Sequence, residues 1–329
     1  MKLNQIFASN MVLPAKRPIR IFGTGKGEAD IKFNGAAAHV ISSEEKWCIT
    51  LPAMEYGGPY TLEFIADGKI ERLENVFVGE VYLFAGQSNI AFMLSASNTP
   101  KEDYEELDNL RLYAVHTDNI YKNNWRPARL GEIDFFSALG YLSGKTIAKA
   151  KGIAVGIIQC AQGASVIESW VPEGAFEKIG INIPPEAKHG DHEEYHEWNI
   201  DGFLYGKKLT ELIPLTLSGV VWYQGESDAS EAEGLVYEKE LCELIRIWRE
   251  LFRDESLPFT VVQLADTHER MAQGPGWELV QRAQAEISRS VSNVYTVISR
   301  DFSETDDVHP QSKKPLAERV VKVILDKYF

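Results

Sequence analysis

The feature that most constrains the fold is a change in the periodicity of apolar residues near residue 76. Beyond that point, short apolar runs alternate with longer amphipathic segments. Such runs are typical of strands buried on both faces, and the longer segments have the spacing of helices that cover a sheet. The strand candidates are 81–84, 153–158, 220–223, 259–264 and 294–298, and the helix candidates are 140–150, 237–252, 278–290 and 313–327. The pattern predicts an α/β fold with a parallel sheet flanked by helices.

The first 75 residues follow a different pattern. Short extended runs at 18–23, 31–35 and 60–65 are separated by Asn-Gly, Gly-Gly and Asp-Gly pairs. Alternating runs with such turns are typical of antiparallel strands. We therefore expect a small β domain over 1–75 and an α/β domain over 76–329. The stretch 173–202 has neither period and is rich in Pro, His and acidic residues, which indicates an insertion near the site.

Composition and charge narrow the class of protein. The 329 residues are 44% hydrophobic, enough for a full core, and the formal net charge is −14. No cluster of Lys and Arg is interleaved with aromatic residues, which argues against a nucleic-acid partner. No apolar run approaches the roughly 18 residues of a membrane span, and no signal-peptide pattern is present. From these two absences we expect a cytoplasmic protein without membrane attachment. Because Cys48, Cys160 and Cys242 are odd in number and far apart, we also expect no disulfide framework, which suits a reducing compartment.

Candidate site residues follow several of the predicted strands. Carboxyl ends of parallel strands meet at one edge of a sheet, where ligand sites form. We therefore expect these residues to converge on one site. They are Ser88, Gly163, Gln224, Glu226, Asp306, Asp307 and His309.

Ser88 and His309 are the residues that we expect to carry the chemistry. A serine at a tight turn after a strand exposes its hydroxyl, and an imidazole can act as its general base. A carboxylate on the other ring nitrogen would fix the tautomer, and Asp306 and Asp307 are both close enough in sequence. The order serine, aspartate, histidine occurs in hydrolases. The alternative role of His309 is structural, because Pro310 is typical of a helix start.

Two residues are candidates for stabilising an oxyanion. The side-chain amide of Gln224 stands at a strand end, where it can donate to a developing negative charge. The backbone N–H of Gly163 can donate to the same oxygen. The alternatives are a turn satisfied by its own polar side chains and an ordinary loop glycine.

Two other groups suggest different chemistries. His189, His192 and His196 have a spacing that would place three imidazoles on one helical face and bind zinc, although a solvated acidic loop explains them as well. Cys160 is a candidate thiol nucleophile, but its place at the end of a buried strand favours packing. We therefore expect no metal and no cofactor.

The motifs resemble the sialate O-acetylesterase and carbohydrate esterase branch of the SGNH hydrolases. The resemblance rests on 78–89, 136–141, 219–227 and 307–310, and 7–13 and 57–60 are similar to that group's N-terminal β domain. It implies a flavodoxin-like SGNH sheet, with Ser88 as the nucleophile and His309 as the base.

The resemblance also implies roles for the surrounding residues. Backbone N–H groups of Ser88 and Gly163, with the side chain of Gln224, would form the oxyanion hole, and Glu226 would be a buried carboxylate near the site. The resemblance leaves open which aspartate, if any, supports His309. The general SGNH pattern selects Asp306, the acetylesterase branch selects Asp307, and some relatives act as a Ser-His dyad.

The function implied by the resemblance is a serine esterase that removes O-acetyl groups from a carbohydrate through an acetyl-serine. The expected partner is a small acetylated sugar or oligosaccharide, a sialic acid first and a xylan-type plant oligosaccharide as the alternative; oligomeric state stays open. A non-catalytic carbohydrate-binding protein and a lipid esterase are the remaining alternatives. The tryptophans considered for stacking on sugar are Trp170, Trp198, Trp222 and Trp277, with core packing favoured for Trp222.

Overall fold

The computed structural model describes residues 1–188, 197–268, 272, 274–302 and 306–329. Its strands are β1 (Lys2–Leu3), β2 (Val12–Pro14), β3 (Ile19–Thr24), β4 (Gly27–Phe33), β5 (Ala36–Ser42), β6 (Lys46–Leu51), β7 (Gly57–Ala66), β8 (Lys69–Gly86), β9 (Leu107–Ala114), β10 (Arg126–Ala128), β11 (Val155–Ala161), β12 (Gly219–Tyr223), β13 (Phe259–Val262) and β14 (Val294–Val297). Its α-helices are α1 (Ser88–Ala91), α2 (Ala138–Lys151), α3 (Phe203–Lys207), α4 (Glu231–Leu251), α5 (Pro275–Ser290) and α6 (Lys313–Lys327). None of these helices has the length and apolar composition needed to cross a membrane.

The larger sheet has a parallel core. β8 lies between β11 and β12, β9 continues the sheet beyond β11, and β13 and β14 continue it beyond β12. β11, β12 and β13 are buried along their whole length, as expected for strands covered on both faces. Among the flanking helices, α2 packs against α6 and α4 against α5. The predicted α/β fold is confirmed, and β10 adds an antiparallel edge strand next to β9.

Most N-terminal strands form antiparallel pairs, as predicted, whereas β2 pairs in parallel with β8. β1, β3 and β6 make a three-stranded sheet, and β4 pairs with β5 and β7. β7 also pairs with 69–78 of β8, whose remaining residues belong to the parallel core. The predicted boundary between residues 75 and 76 therefore lies inside one continuous strand. The division into two domains stays a prediction, with backbone hydrogen bonds joining the two parts.

The strand order reverses at β8. The chain first adds β9 and β11 on one side of β8 and later adds β12, β13 and β14 on the other. Ligands of parallel α/β sheets bind at the carboxyl ends of the strands at such a reversal. Gly86, the last residue of β8, pairs with Ala161 of β11 and with Tyr223 of β12. The segments that follow these three strands therefore begin side by side.

Local sequence determines where the segment after β12 ends and α4 begins. The side chain of Ser230 accepts from the backbone N–H of Glu233, and the side chain of Glu233 accepts from that of Ser230. This capping box satisfies two N–H groups that the first helical turn leaves without partners. Leu241, Leu244 and Trp248 then form part of the buried stripe of α4.

α4 also carries a carboxyl group into the protein interior. Glu240 is 3% exposed. Burial raises the pKa of its carboxyl well above the ordinary value, and the charge of Asp228 adds to this increase, followed by Glu168 and Glu233. Lys188 acts in the opposite direction. The folded protein therefore keeps a proton on Glu240 at pH values where the unfolded chain has lost it.

We expect Glu240→Gln to stabilise the protein increasingly as the pH rises. The stabilising contribution of protonated Glu240 is fully present below its unfolded pKa, about 4.3, and is lost as the pH rises through the raised folded pKa, by up to about 1.4 kcal/mol per pH unit. Glutamine does not titrate. The difference in Tm between the variant and the wild type, measured by calorimetry, should therefore be larger at pH 8 than at pH 5.

The control is Glu250→Gln, at an exposed position of the same helix. This substitution should change the Tm by a similar amount at both pH values. A difference for Glu240→Gln that does not vary with pH would contradict the titration of Glu240 in the folded state.

Candidate active site

A glycine turn positions Ser88. Gly86 has a φ of +137°, which side-chain-bearing residues rarely adopt, and a Cβ there would lie 2.0 Å from the carbonyl oxygen of Tyr223. Only glycine fits at this point. The backbone N–H of Gln87 donates to the same carbonyl at 3.1 Å, which fixes the turn against β12. Ser88, the first residue of α1, consequently stands at the carboxyl edge of the sheet.

The structure brings Ser88, His309 and Asp307 together. Oγ of Ser88 lies 2.7 Å from Nε2 of His309, and Nδ1 of His309 lies 3.0 Å from Oδ1 of Asp307. When Nδ1–H donates to the carboxylate, Nε2 has a lone pair that accepts the serine O–H. The imidazole also stacks on Phe92, with ring centroids 6.1 Å apart. These are the hydrogen bonds that a nucleophile, a general base and an orienting acid require.

The structure does not bring Asp306 to His309. The side chain of Asp306 is 99% exposed, and its Oδ1 lies 3.9 Å from Nδ1 of His268. Asp307 reaches the imidazole because its Oδ1 also accepts from the backbone N–H of His309 at 2.8 Å, which curls the chain into an Asx turn. Of the two aspartates that the sequence left open, Asp307 is therefore the one hydrogen-bonded to His309.

Gly163 lies beside Ser88. A Cβ at Gly163 would be 3.8 Å from the Cβ of Ser88. The preceding residue, Gln162, donates its backbone N–H to the carbonyl of Gly86 at 3.0 Å, which ties the loop after β11 to the turn before Ser88. The main chains of Ser88 and Gly163 are thus neighbours, as two donors to one oxyanion must be.

The side chain of Gln224 is not available for the oxyanion role expected from the sequence. It is fully buried, and its Nε2 donates to the carbonyl of Ser165 at 2.8 Å and to the carboxylate of Asp228. Its Oε1 accepts from the hydroxyl of Tyr237 at 2.9 Å. A buried amide has to satisfy its own polar atoms, and both N–H bonds of this one are engaged inside the protein. The amide joins three segments instead.

A comparison with models of protein families shows to which family the chain belongs. The family model described as carbohydrate esterase, sialic acid-specific acetylesterase, matches residues 78–325, which include Ser88, Gly163 and His309. The chain belongs to this esterase family. The resemblance to carbohydrate esterases of the SGNH type is therefore confirmed.

Individual members and a solved structure are similar over most of the chain. The sialate O-acetylesterase of Homo sapiens is 24% identical over 327 residues, which cover 85% of this chain and 60% of the human protein. That of Mus musculus is 25% identical over 339 residues, with coverages of 83% and 62%. The chain spans about three fifths of the length of these relatives. A solved carbohydrate acetylesterase from Xanthomonas citri is 25% identical, with a TM-score of 0.87, and covers 99% of this chain and 75% of its own.

In this member of the esterase family, Glu226 lies behind the turn that carries Ser88. Glu226 is 1% exposed, and its Oε1 accepts from Nδ2 of Asn89 at 2.6 Å. Burial raises the pKa of Glu226, whereas the hydrogen bond from Asn89 and the charges of His309 and Lys313 lower it. The structure thus places a buried carboxyl group within electrostatic range of the imidazole.

Asn89 and Lys313 are residues of this site that the sequence analysis missed. Lys313 is fully buried, and its Nζ donates to Oδ1 of Asn89 at 2.5 Å. A signal was present in the sequence, because Lys313 shares the helical spacing of Leu316, Ala317 and Val320 on the buried face of α6. A lysine is almost never fully buried without a partner, so its place on an apolar stripe indicates a buried polar contact.

The alternative nucleophile, Cys160, does not contribute to this geometry. Cys160 is fully buried in β11, and burial raises the pKa of its thiol to about 12, so that the thiol stays protonated at neutral pH. His189, His192 and His196 lie outside the described residues. Within the ranges that the structure describes, no group of three or more His, Cys, Asp and Glu side chains could hold a metal ion.

Three of the tryptophans considered for stacking on sugar are core residues. Trp170 and Trp222 are fully buried and pack edge to face, with ring centroids 5.9 Å apart. Trp277 is 4% exposed and donates its Nε1–H to the carbonyl of Ala265. Trp198 is only partly buried and is therefore the tryptophan of the four with an accessible face.

Trp198 belongs to the stretch predicted as an insertion near the site. The adjacent Asn199 donates from Nδ2 to the carbonyl of Ala164 at 3.0 Å and accepts from the backbone N–H of Val166 at 3.1 Å. This part of the stretch therefore lies against the loop that follows Gly163. Its nature as an insertion stays a prediction.

We expect Asp307→Ala to lower kcat/KM for 4-nitrophenyl acetate by about 10- to 10³-fold, because the substitution removes the group that orients the imidazole. The loss should be smaller than in a fully buried triad, since the side chain of Asp307 is 48% exposed. The matched variant Asp306→Ala should stay within about twofold of the wild type. Equal rates for Asp307→Ala and the wild type would show that Ser88 and His309 act without an aspartate.

Proposed function

We propose that this chain is a serine esterase that removes O-acetyl groups from a carbohydrate, with acetylated sialic acids as its substrates. The observation that carries the proposal is the line of hydrogen bonds from Ser88 through His309 to Asp307 at the carboxyl edge of the sheet. The family of the chain and its curated relatives support the assignment of an acetyl ester of a sugar as the substrate.

The first half of the proposed reaction transfers the acetyl group to Ser88. Nε2 of His309 takes the hydroxyl proton of Ser88 as Oγ attacks the ester carbonyl carbon. The backbone N–H groups of Ser88 and Gly163 donate to the negatively charged oxygen of the tetrahedral intermediate. As the intermediate collapses, the C–O bond to the sugar breaks, and the imidazolium of His309 returns its proton to the departing sugar hydroxyl.

The second half of the reaction regenerates the serine. A water molecule gives a proton to Nε2 of His309 and attacks the carbonyl of the acetyl-serine. The second tetrahedral intermediate releases acetate, and the proton on His309 returns to Oγ of Ser88. Asp307 keeps the imidazole oriented and stabilises its positive charge in both halves. These steps use only the side chains and backbone of the chain, with water as the second substrate.

The identity of the sugar rests on similarity more than on geometry. The matching family is described as specific for sialic acid, and the curated relatives are sialate O-acetylesterases. These descriptions favour a sialic acid over a plant oligosaccharide. The partly exposed Trp198, near the loop after Gly163, is a candidate for contact with the sugar ring.

The free cysteines support a cytoplasmic location as part of the proposal. Cys48, Cys160 and Cys242 are unpaired, and the first and last of them are only partly buried. Accessible thiols persist in a reducing compartment, whereas secreted proteins commonly pair theirs.

We expect Ser88→Ala to lower acetate release at least about 10³-fold, because the acetyl-enzyme cannot form without the serine oxygen. Acetate should be measured with 4-nitrophenyl acetate, an O-acetylated sialic acid and acetylated xylo-oligosaccharides. The wild type should act faster on the sialic acid than on the xylo-oligosaccharides. Intact mass spectrometry after rapid acid quenching should show an added acetyl group on the wild type and none on the variant.

The control for this experiment is Ser43→Ala, at an exposed position of the turn between β5 and β6. This variant should keep the wild-type rate. Undiminished acetate release by Ser88→Ala would rule out the proposed mechanism. Binding of the acetylated sugar without any turnover by the wild type would support the alternative of a carbohydrate-binding protein.

A further inference from the structure

Asn89, the residue after the proposed nucleophile, makes three hydrogen bonds in the protein interior. Asn89 is 1% exposed. Nδ2 donates to Oε1 of Glu226 at 2.6 Å and to the carbonyl oxygen of Val308 at 2.9 Å, and Oδ1 accepts from Nζ of Lys313 at 2.5 Å. Both N–H bonds and the carbonyl oxygen of the amide are therefore engaged.

The partners of Asn89 fix the direction in which its amide points. The ammonium group of Lys313 can only donate, so it has to face Oδ1. The carbonyl of Val308 can only accept, and the carboxylate of Glu226 also accepts, so both have to face Nδ2. A flipped amide would place two donors together on one side and acceptors together on the other. The amide is thus held in one orientation by Glu226 and Lys313.

The bond to Val308 connects Asn89 to the proposed base. Val308 stands between Asp307 and His309, and its carbonyl belongs to the peptide group that links it to His309. Ser88 and Asn89 are adjacent residues of α1. The segment that carries the acid and the base is therefore fastened to the helical turn that carries the nucleophile, one residue away from each.

Lys313 supports the imidazole by a second route. Its Nζ lies 4.7 Å from the ring centroid of Phe92. The same ring stacks on the imidazole of His309. A cation at this distance from an aromatic ring attracts it. Lys313 thus holds both the amide of Asn89 and the ring on which the imidazole rests.

We propose that Asn89, held in orientation by Glu226 and Lys313, is a positioning residue that keeps His309 at hydrogen-bonding distance from Ser88. The proposal rests on the esterase function proposed above. Asn89 is buried and uses both of its N–H bonds within the protein, so we expect it to make no contact with the substrate. Its effect on the reaction passes through the peptide of Val308.

The test compares three variants. Asn89→Ala removes all the bonds of the amide. In Asn89→Asp/Glu226→Gln, the acid and the amide exchange places, so that the bond between positions 89 and 226 and the partner of Lys313 are both restored. The double variant still lacks a donor for the carbonyl of Val308. Asn109→Ala is the matched control, since it also removes an amide-to-backbone bond, from Nδ2 to the carbonyl of Ile153, near the start of β9.

Two measurements are made on each variant. The first is the rate at which a fluorophosphonate labels Ser88, followed by intact mass, which reports on activation of the serine whatever the natural substrate is. The second is kcat and KM for 4-nitrophenyl acetate, with the Tm measured alongside. Wild-type protein that is labelled but releases no acetate from any acetylated sugar would count against the proposed function and not against the role of Asn89.

We expect Asn89→Ala and the double variant to lower the labelling rate and kcat by about 10- to 10²-fold with little change in KM, because a displacement of the base of about 1 Å has an effect of this size. The Tm of the double variant should return toward the wild-type value, while its kcat stays low. Asn109→Ala should keep the labelling rate within about twofold. Wild-type labelling and kcat in the double variant would overturn the proposal, since the Val308 bond would then be irrelevant.

A pair of lysine variants keeps the proposal testable if substitution of Asn89 prevents folding. Lys313→Met removes the group that orients the amide, and Lys313→Gln retains a donor at a similar position. We expect Lys313→Met to lower the labelling rate and kcat about 10-fold and Lys313→Gln to recover part of this loss. Equal wild-type rates in both variants would overturn the proposal.

Discussion

The close contact between Gly86 and β12 is the constraint on which the site depends. A Cβ at Gly86 would lie 2.0 Å from the carbonyl of Tyr223, so the chain can leave the sheet there only with a glycine in a left-handed conformation. That departure starts α1 with Ser88 at the sheet edge. The pairing of Gly86 with Ala161 and Tyr223 also brings the ends of β11 and β12 level with it. Register, more than any side chain, therefore determines which loops meet at the nucleophile.

Burial then decides which polar residue at this edge is available for chemistry. The amide of Gln224 and the hydroxyl of Ser88 both follow central strands, but the amide is fully buried and bonds to Ser165, Asp228 and Tyr237. Asp228 lies in the turn that directly follows Gln224, but Ser165 and Tyr237 come from the loop after β11 and from α4, and the sequence near residue 224 does not indicate them. A donor needed by a neighbouring buried group is not free to serve a reaction. Sequence position alone could therefore suggest Gln224 for the oxyanion without revealing that its donors are engaged.

The alternation of apolar runs and amphipathic segments was sufficient to predict the parallel sheet and the long helices, since periodicity is a local property. It missed β9, in which the apolar stretch is interrupted by Asn109 and by Arg111, a buried arginine. It also placed a boundary inside β8, because 69–78 pairs with β7 in the N-terminal part and the rest with β11 and β12. Whether Asp306 or Asp307 reaches His309 depends on the Asx turn between Asp307 and His309, and spacing in the sequence does not specify this turn.

The buried carboxyl group of Glu226 and the buried ammonium group of Lys313 lie on either side of the amide of Asn89. Glu226 and Lys313 would satisfy each other directly, but a direct ion pair would leave the carbonyl of Val308 without a donor. An asparagine offers two donors and an acceptor in one rigid plane, so it serves the carboxyl group, the ammonium group and the backbone together. Apolar side chains of similar volume often stabilise a fold as well as a buried ion pair does. The place of Asn89 between Glu226 and Lys313 is therefore better explained by the proposed positioning of His309 than by a gain in stability.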